Sequence, residues 1–320
     1  MTASIVSATP LIRIDDAHVT FGKVQAVAGV DLEIRPGEVL AVVGESGSGK
    51  STLARAVVGL QKLTSGGIEF VQGTQPRHRI AQMVFQDPRS SLNPKLTVRQ
   101  IVQEAWRPTR NTTVRREREL FLTELLGDVG ISENLLDSYP SDLSGGQCQR
   151  VSIARALASQ PELLVCDEVV SALDVSIQAQ VLDLLRQLKD RQDLAMLFIT
   201  HDLGVVRQLA DRVAVMYLGK IVEVGSTDDI FNRPTHPYTQ SLLSSAVDLA
   251  TTDKRDRVRL ELGGSLPSPS DPPSGCRLHP RCWKARPICS VDEPSLEPHA
   301  STCSACHFAE PIDVLGGSQS

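Results

Sequence analysis

The chain has 320 residues, 41% of them hydrophobic and 22% charged, and its formal net charge of −5 shows no basic excess that would indicate nucleic-acid binding. Its apolar runs, such as VLAVV at residues 39–43, are too short to cross a membrane. The first ten residues, MTASIVSATP, lack the basic start and apolar core of a secretory signal. We therefore expect a cytoplasmic protein without a transmembrane segment, in which disulfides are disfavoured.

The pattern of apolar residues predicts an α/β fold. Residues 11–45 read as short strands, and the last of them, VLAVVG, is a continuous apolar run that is typical of a buried strand. Residues 95–160 are charged and favour helices. Beyond Pro161 strand-like and helix-like runs alternate (LLVCD, SIQAQVLDLLRQL, LAMLFIT), which predicts a parallel sheet flanked by helices.

The last third of the chain begins with a predicted hairpin and helix and ends in a proline-rich segment. RVAVMYLGKIVEVG predicts a hairpin that turns at Leu218-Gly219, and Ser226 and Asp229 have the spacing of a capping box at a helix start. Eight prolines then fall between Pro267 and Pro298. This composition disfavours regular secondary structure, so we expect something other than a hydrophobic core to order the segment.

The residues GESGSGKST, at positions 44–52, match the pattern G-x-x-x-x-G-K-[ST] between an apolar strand and a helix-like run. Glycines let several backbone N–H groups point at phosphate oxygens, and the following helix adds its dipole. Lys50 would reach the outer phosphates and Ser51 would bind Mg²⁺. A glycine-rich turn is the alternative. The predicted ATP-contacting residues of this loop are Gly44, Ser46, Gly47, Gly49, Lys50, Ser51 and Thr52.

A pair of acidic residues follows the apolar run LLVC. Asp167 is placed to hold Mg²⁺ directly or through water, and Glu168 to polarise an attacking water. A surface acidic pair at a strand end is the alternative interpretation. Because the chain also contains a phosphate-loop motif, the catalytic interpretation of the acidic pair is favoured.

The run LSGGQCQR, at residues 143–150, resembles the signature motif of ATP-binding cassette (ABC) ATPases. The resemblance implies a P-loop ATPase core with an N-terminal antiparallel β subdomain, a helical signature subdomain and a small loop-rich C-terminal extension. It also implies a dimer that sandwiches two ATP molecules, each between the phosphate loop of one subunit and the signature of the other. The signature residues are Ser144, Gly145, Gly146 and Gln147.

Further family motifs follow in the expected order between residues 11 and 225. Gln86 in MVFQDP resembles the Q-loop, Asp174 in SALD the D-loop and His201 in FITHD the switch histidine. Phe21 matches the aromatic residue that stacks on adenine. The resemblance assigns catalysis to Glu168, His201 and Gln86, and Mg²⁺ binding to Ser51, Gln86 and Asp167.

Two positions depart from the family pattern. Cys148 stands where the signature usually has a basic residue, and Val169 where proline usually follows the acidic pair. Neither is expected to touch ATP. Because Glu168 and His201 are both present, we predict that the chain hydrolyses ATP.

Several runs resemble the ATPases of oligopeptide and dipeptide importers, namely VFQDPRSSLNP at 84–94, VCDEVVSALDVSIQAQVL at 165–182 and NRPTHPYTQSLL at 232–243. The resemblance implies a second, unlike ATPase chain, two membrane-spanning permease subunits and, indirectly, an extracytoplasmic binding protein, at the cytoplasmic face of the membrane. Nickel, glutathione and other small solutes stay open as substrates. A cassette ATPase acting in nucleic-acid repair is the alternative class.

The implied domains are an ATPase domain at 8–250 with a helical subdomain at about 90–150, an importer-type extension at 230–310 and a flexible tail at 311–320. We expect residues 87–105 to receive a short helix of a membrane subunit, with Leu92 and Leu96 in the contact. A solvated loop without a partner is the alternative for this segment.

Five of the seven cysteines lie in the C-terminal extension, at Cys276, Cys282, Cys289, Cys303 and Cys306. Structural zinc sites usually pair ligands two to four residues apart, so the five residues between Cys276 and Cys282 and the six between Cys282 and Cys289 fit zinc poorly. The resemblance to importer ATPases implies a 4Fe–4S cluster on Cys276, Cys282, Cys289 and Cys306, with Cys303 as the alternative fourth ligand. Reduced thiols that order nothing are the other interpretation.

Overall fold

The computed structural model describes residues 9–71, 77–105, 115–171, 173–250 and 260–314. The strands in these ranges are β1 (Ile12–Phe21), β2 (Val24–Ile34), β3 (Val39–Val43), β4 (Ser65–Phe70), β5 (Ala81–Val84), β6 (Leu163–Asp167), β7 (Ala195–Ile199), β8 (Arg212–Tyr217), β9 (Lys220–Ser226), β10 (Glu297–His299) and β11 (Thr302–Ser304). The helices are α1 (Lys50–Val58), α2 (Arg77–Ile80), α3 (Pro88–Ser91), α4 (Val98–Ala105), α5 (Arg115–Asp128), α6 (Gly145–Leu157), α7 (Val175–Gln192), α8 (Leu203–Leu209), α9 (Thr227–Asn232) and α10 (Pro237–Ala250). Short 3-10 helices span Glu133–Leu135, Pro140–Asp142 and Pro287–Ser290.

The chain divides into two compact units. The phosphate-loop unit comprises residues 12–34, 39–71 and 199–320, and the signature unit comprises residues 1–11, 35–38 and 72–198.

The phosphate-loop unit contains an antiparallel sheet with the strand order β2-β1-β4. Ile12 lies opposite Ile34, and the buried side chains of β1 alternate with exposed ones over much of its length. Alternation of this kind places one face of the sheet on the core. The predicted N-terminal antiparallel β subdomain is confirmed.

A second set of strands in this unit has the order β10-β11-β9-β8-β3. The β3 strand runs parallel to β8 and is buried along its whole length, as its apolar run predicts. The hairpin of β8 and β9 turns at Leu218 and Gly219, whose φ angles of 44° and 85° are both left-handed. Such a two-residue turn matches the twist of the flanking strands, and it confirms the predicted hairpin.

The C-terminal extension packs on a hydrophobic core of the phosphate-loop unit. Leu278 is buried in one cluster with Tyr217, Tyr238 and Val213, and Cys276 packs against the same cluster. The extension also adds β11 to the edge of β9 by backbone pairing. The expectation that something other than a hydrophobic core orders this proline-rich segment is therefore wrong in part.

The signature unit confirms the predicted alternation of strands and helices. The β5 strand pairs in parallel with β6, and the strand order is β7-β6-β5. The α7 helix buries Val181, Leu185 and Leu188, which recur at the spacing of one helix face. The helices from α3 to α6 form the predicted helical part of this unit.

Parts of the predicted segments lie outside the described residues, namely residues 8, 72–76 and 172 of the ATPase domain, residues 106–114 of its helical subdomain and residues 315–320 of the tail. Residues 251–259 of the extension also lie outside. Among the residues that are described, no helix is long and apolar enough to cross a membrane.

The segment expected to bind a membrane subunit has a buried side chain at its centre. Leu92 is 2% exposed, so it packs inside the signature unit and the prediction that it contacts a partner is wrong. The side chain of Leu96 is half-buried and stays a candidate for that contact.

We expect Leu92→Ala to lower the free energy of unfolding by about 2–5 kcal/mol, because it removes a buried side chain and leaves a cavity. Chemical denaturation of the purified chain measures this loss. Leu96→Ala is the matched control and is expected to lose roughly half as much or less, since its side chain is partly in water already. Equal losses in both variants would contradict the burial of Leu92.

Candidate phosphate-binding and hydrolytic sites

The loop between β3 and α1 depends on three glycines with left-handed backbone angles. Gly44, Gly47 and Gly49 have φ angles of 154°, 81° and 106°. A Cβ atom at Gly44 would overlap the carbonyl oxygen of Met216, and one at Gly49 would overlap that of Ala26. A side chain at either position is therefore excluded by contact as well as by backbone angle.

Lys50, the first residue of α1, reaches back across this loop. Its Nζ donates hydrogen bonds to the carbonyl oxygens of Gly44 and Glu45, both at 2.9 Å, and to Oγ of Ser48 at 3.3 Å. The Lys50 side chain is buried, so its charge lies at the centre of the loop rather than in solvent. Ser46 and Gly47 are exposed at the tip of the loop, where a phosphate can approach their backbone N–H groups.

Two further predicted residues belong to the phosphate-loop unit. Phe21 ends β1 with 49% of its surface exposed, which suits a ring that stacks on a ligand. His201 is exposed directly before Asp202, whose side chain accepts hydrogen bonds from Gly204 N and Val205 N at the start of α8. His201 therefore lies directly before the N-cap residue of α8.

In the signature unit the structure brings Gln86 and Glu168 together. The Nε2 atom of Gln86 donates a hydrogen bond to Oε2 of Glu168 at 2.7 Å. Glu168 follows the buried Asp167 at the end of β6 and has a φ angle of 49°. A left-handed angle is costly for a side chain of this kind and is typical of functional sites, where the surrounding structure imposes it.

Ser144 begins α6 with a reciprocal capping box. Gln147 N donates to Ser144 Oγ at 3.3 Å, and Ser144 N donates to Gln147 Oε1 at 2.8 Å. Ser144 and Gly145 are exposed, and a Cβ atom at Gly146 would lie 2.7 Å from Cγ2 of Ile177. The signature therefore presents an open helix N-terminus, which favours an anionic group.

Asp174, Cys148 and Val169 are the remaining signature-unit positions that the sequence singled out. Asp174 begins α7 and is exposed, with no capping hydrogen bond from its side chain. Cys148 is buried with its thiol directed at the carbonyl oxygen of Pro140, and burial raises the pKa of that thiol. Val169 is also buried. Both departures from the family pattern are thus interior side chains without access to a nucleotide.

Four cysteines of the extension line one small cavity. Cys276, Cys282, Cys289 and Cys306 surround it, together with apolar side chains, histidines and Lys284. Burial raises the pKa of the thiols of Cys276, Cys282 and Cys306, with smaller contributions from the neighbouring thiols. Cys303 lies elsewhere, in β11 opposite Val224 of β9.

The metal prediction for these cysteines is not confirmed. Within the described residues, no group of three or more His, Cys, Asp or Glu side chains is arranged to hold a metal ion.

Sequence reasoning missed a buried carboxylate that organises the extension. Glu223 of β9 is fully buried and accepts hydrogen bonds from Thr235 N and Oγ1 at 2.7 Å, His236 N at 3.1 Å and Thr302 Oγ1 at 2.9 Å. His236 is buried as the neutral imidazole, because burial lowers its pKa to about 3, and its Nδ1 accepts from Tyr238 N. The motif THPY was a signal for this arrangement, but nothing in the sequence pointed to Glu223.

Two family profiles match the chain. The one described as "ABC transporter" matches residues 27–171, and the one described as "Oligopeptide/dipeptide transporter, C-terminal region" matches residues 222–289. Both agree with the positions of the phosphate loop, the signature and the extension.

Curated proteins and solved structures give the same result. The chain is 45% identical to the oligopeptide transport ATP-binding protein OppF of Escherichia coli, over 90% of this chain and 89% of that protein. It is 46% identical to the oligopeptide transport ATP-binding protein AppF of Bacillus subtilis, over 90% of each. The dimeric structure of MJ0796, a bacterial ABC transporter cassette, superposes with a TM-score of 0.59 at 28% identity, over 68% of this chain and 98% of that one.

We expect Glu168→Gln to reduce ATP hydrolysis at this chain's own site by about 100-fold or more, because the amide is a poor acceptor for the proton of the attacking water. Phosphate release from the assembled complex, with the turnover of both nucleotide sites followed, measures the loss. Glu162→Gln is the matched control, since Glu162 is an exposed carboxylate just before the same strand. Unchanged hydrolysis in Glu168→Gln would refute the role given to Glu168.

Proposed function

Because the chain belongs to the ABC transporter family of ATPases, we propose that it is the ATP-hydrolysing subunit of an importer for oligopeptides, dipeptides or related small solutes. The observation that carries this proposal is the identity of 45% to a named oligopeptide transport protein over 90% of the chain, including the extension. The match of residues 222–289 to the oligopeptide/dipeptide transporter C-terminal region supports the same class.

We assign ATP binding to the loop after β3 and to Phe21. The loop would bind the phosphates through its backbone N–H groups and Lys50, while the Phe21 ring would stack on adenine. Ser51, Gln86 and Asp167 would hold Mg²⁺, a hard cation that prefers such oxygen ligands. The metal neutralises phosphate charge when it is bound.

Hydrolysis is assigned to Glu168, which would polarise the attacking water. Gln86 donates a hydrogen bond to one of its carboxylate oxygens, so that oxygen is fixed and the carboxylate keeps a defined orientation. His201 would donate to an oxygen of the γ-phosphoryl group, which carries spread charge while its bond to the departing ADP breaks and its bond to the attacking water forms. These roles rest on the family resemblance.

We further propose that the chain works as half of a dimer with a second, unlike ATPase. The exposed Ser144 and Gly145 at the start of α6 would contact ATP bound to that partner, and Asp174 lies at the start of the neighbouring helix. ATP binding would close the dimer and hydrolysis would reopen it. Two permease subunits would transmit this motion at the cytoplasmic face, and an extracytoplasmic binding protein would deliver the solute.

A pull-down from a detergent extract, with this chain as bait, tests the assignment. We expect two membrane-spanning subunits and one further cassette chain to co-purify, because importers of this class are built from these parts. Recovery without membrane subunits, together with binding to nucleic acid, would instead support a repair ATPase. The net charge of −5 gives no support to that outcome.

We also propose that Cys276, Cys282, Cys289 and Cys306 hold a 4Fe–4S cluster. Their shared cavity supports this donor set, and the position of Cys303 in β11 argues against Cys303 as a ligand. A cluster gives each sulfur its own iron atom, so its ligands lie further apart than those of a single ion. The bound group would supply a cross-link between loops, and ATP hydrolysis requires no redox step.

Cys306→Ser and Cys303→Ser form a matched pair for this proposal, since both lie close together in the same segment. We expect anaerobically purified wild-type protein to absorb at about 400 nm and to contain about four irons per chain. Cys303→Ser should keep both signals and Cys306→Ser should lose most of them. Iron-free wild-type protein, or equal iron contents in the two variants, would overturn the assignment.

A further inference from the structure

Glu45 is the second residue of the phosphate loop, and its backbone N–H, its carbonyl oxygen and its carboxylate each have a polar partner. Its backbone N–H donates to the Tyr238 hydroxyl at 2.7 Å, and its carbonyl oxygen accepts from Lys50 Nζ at 2.9 Å. Its carboxylate forms an ion pair with Arg281, whose Nη1 lies 3.1 Å from Oε2. Two of these three partners belong to the C-terminal extension, which the phosphate-binding motif does not include.

Contacts outside the phosphate loop hold Tyr238 in place. Its side chain is completely buried, and its backbone N–H donates to Nδ1 of His236 at 3.1 Å. His236 N in turn donates to the buried carboxylate of Glu223. The ring of Tyr217 lies 4.7 Å from that of Tyr238, centroid to centroid. These contacts restrict the position of the Tyr238 hydroxyl. The hydrogen bond to Glu45 N therefore requires the phosphate loop to lie where the hydroxyl is.

Arg281 is similarly constrained. Its side chain is 11% exposed, and its Nη1 and Nη2 both lie within 3.4 Å of Glu45 Oε1. Its guanidinium carbon lies 5.9 Å from the centre of the Tyr217 ring, and its Nε donates to Gly263 O at 3.3 Å. A planar guanidinium with several fixed partners orients a carboxylate better than a mobile surface cation does.

These contacts act where the loop first bends away from β3. The orientation of the Glu45 peptide determines where the following N–H groups, up to that of Lys50, point. We infer that Tyr238 and Arg281 are positioning residues for the phosphate-binding loop, through which the C-terminal extension sets the affinity of the chain for ATP. The inference rests on the proposed binding of ATP by this loop.

The test is the equilibrium binding of a fluorescent, slowly hydrolysed ATP analogue to the full-length chain with Mg²⁺. Tyr238→Phe removes one hydroxyl and keeps the buried ring, so the dissociation constant should rise about threefold to tenfold, as for the loss of one hydrogen bond. Arg281→Ala and Glu45→Gln should each give a rise of similar size. Arg281→Lys keeps the charge and should recover part of the affinity.

The double variant Arg281→Ala/Glu45→Gln separates positioning from general damage. If Arg281 acts through Glu45, the double variant should bind no more weakly than the weaker single variant. Arg286→Ala is the control, because Arg286 lies in the same segment but stacks on Phe308, 4.2 Å from the ring centre. It should change the dissociation constant less than twofold.

Three results would overturn the inference. They are unchanged affinity in Tyr238→Phe and Glu45→Gln, full additivity in the double variant, and an equal loss in Arg286→Ala. Thermal unfolding of each variant shows whether the fold is kept, and Glu45→Gln decides the matter if Arg281→Ala does not fold. Wild-type protein that fails to bind the analogue would count against the proposed ATP binding itself.

Discussion

The phosphate loop can take its shape only where two of its positions carry no side chain. A Cβ atom at Gly44 or Gly49 would overlap a backbone carbonyl oxygen, that of Met216 in β8 or that of Ala26 in β2. Both carbonyl groups belong to strands of the unit's sheets. Strands of both sheets of the unit therefore constrain the geometry of the loop.

A buried carboxylate ties the C-terminal extension to the same framework. Glu223 lies fully inside the protein, where an ion without donors would be very unfavourable, and donors from Thr235, His236 and Thr302 satisfy it. The same turn carries Tyr238 to the phosphate loop. An extension that looks like an appendage in the sequence is therefore part of the support of the nucleotide-binding loop.

The cysteine-lined cavity lies close to that support along the chain. Arg281, which orients the Glu45 carboxylate, directly precedes Cys282. The conformation of the cysteine-bearing loop and the position of the phosphate loop are therefore linked through two adjacent residues, Cys282 and Arg281. Part of this order comes from ordinary packing, since Leu278 belongs to the hydrophobic core. Any bound cluster would add to this packing rather than replace it.

Features that depend on residues close together along the chain can be predicted from the amino-acid sequence. The phosphate-loop pattern, the cap at Ser226, the hairpin turn at Leu218 and the strand–helix alternation all follow from local backbone geometry. The phosphate loop, the signature and the switch histidine also occur in the order that resembles ABC ATPases, and the comparisons with known proteins confirm this family.

Contacts between residues far apart along the chain arise only when the chain folds. Glu45 and Arg281 are 236 positions apart, and no periodicity or motif relates two such residues. Burial of Leu92, the four donors of Glu223 and the separation of Cys303 from the cysteine cavity are equally invisible in the chain order. They depend on which faces the folded elements bury, and this choice is made by the packing of the whole unit.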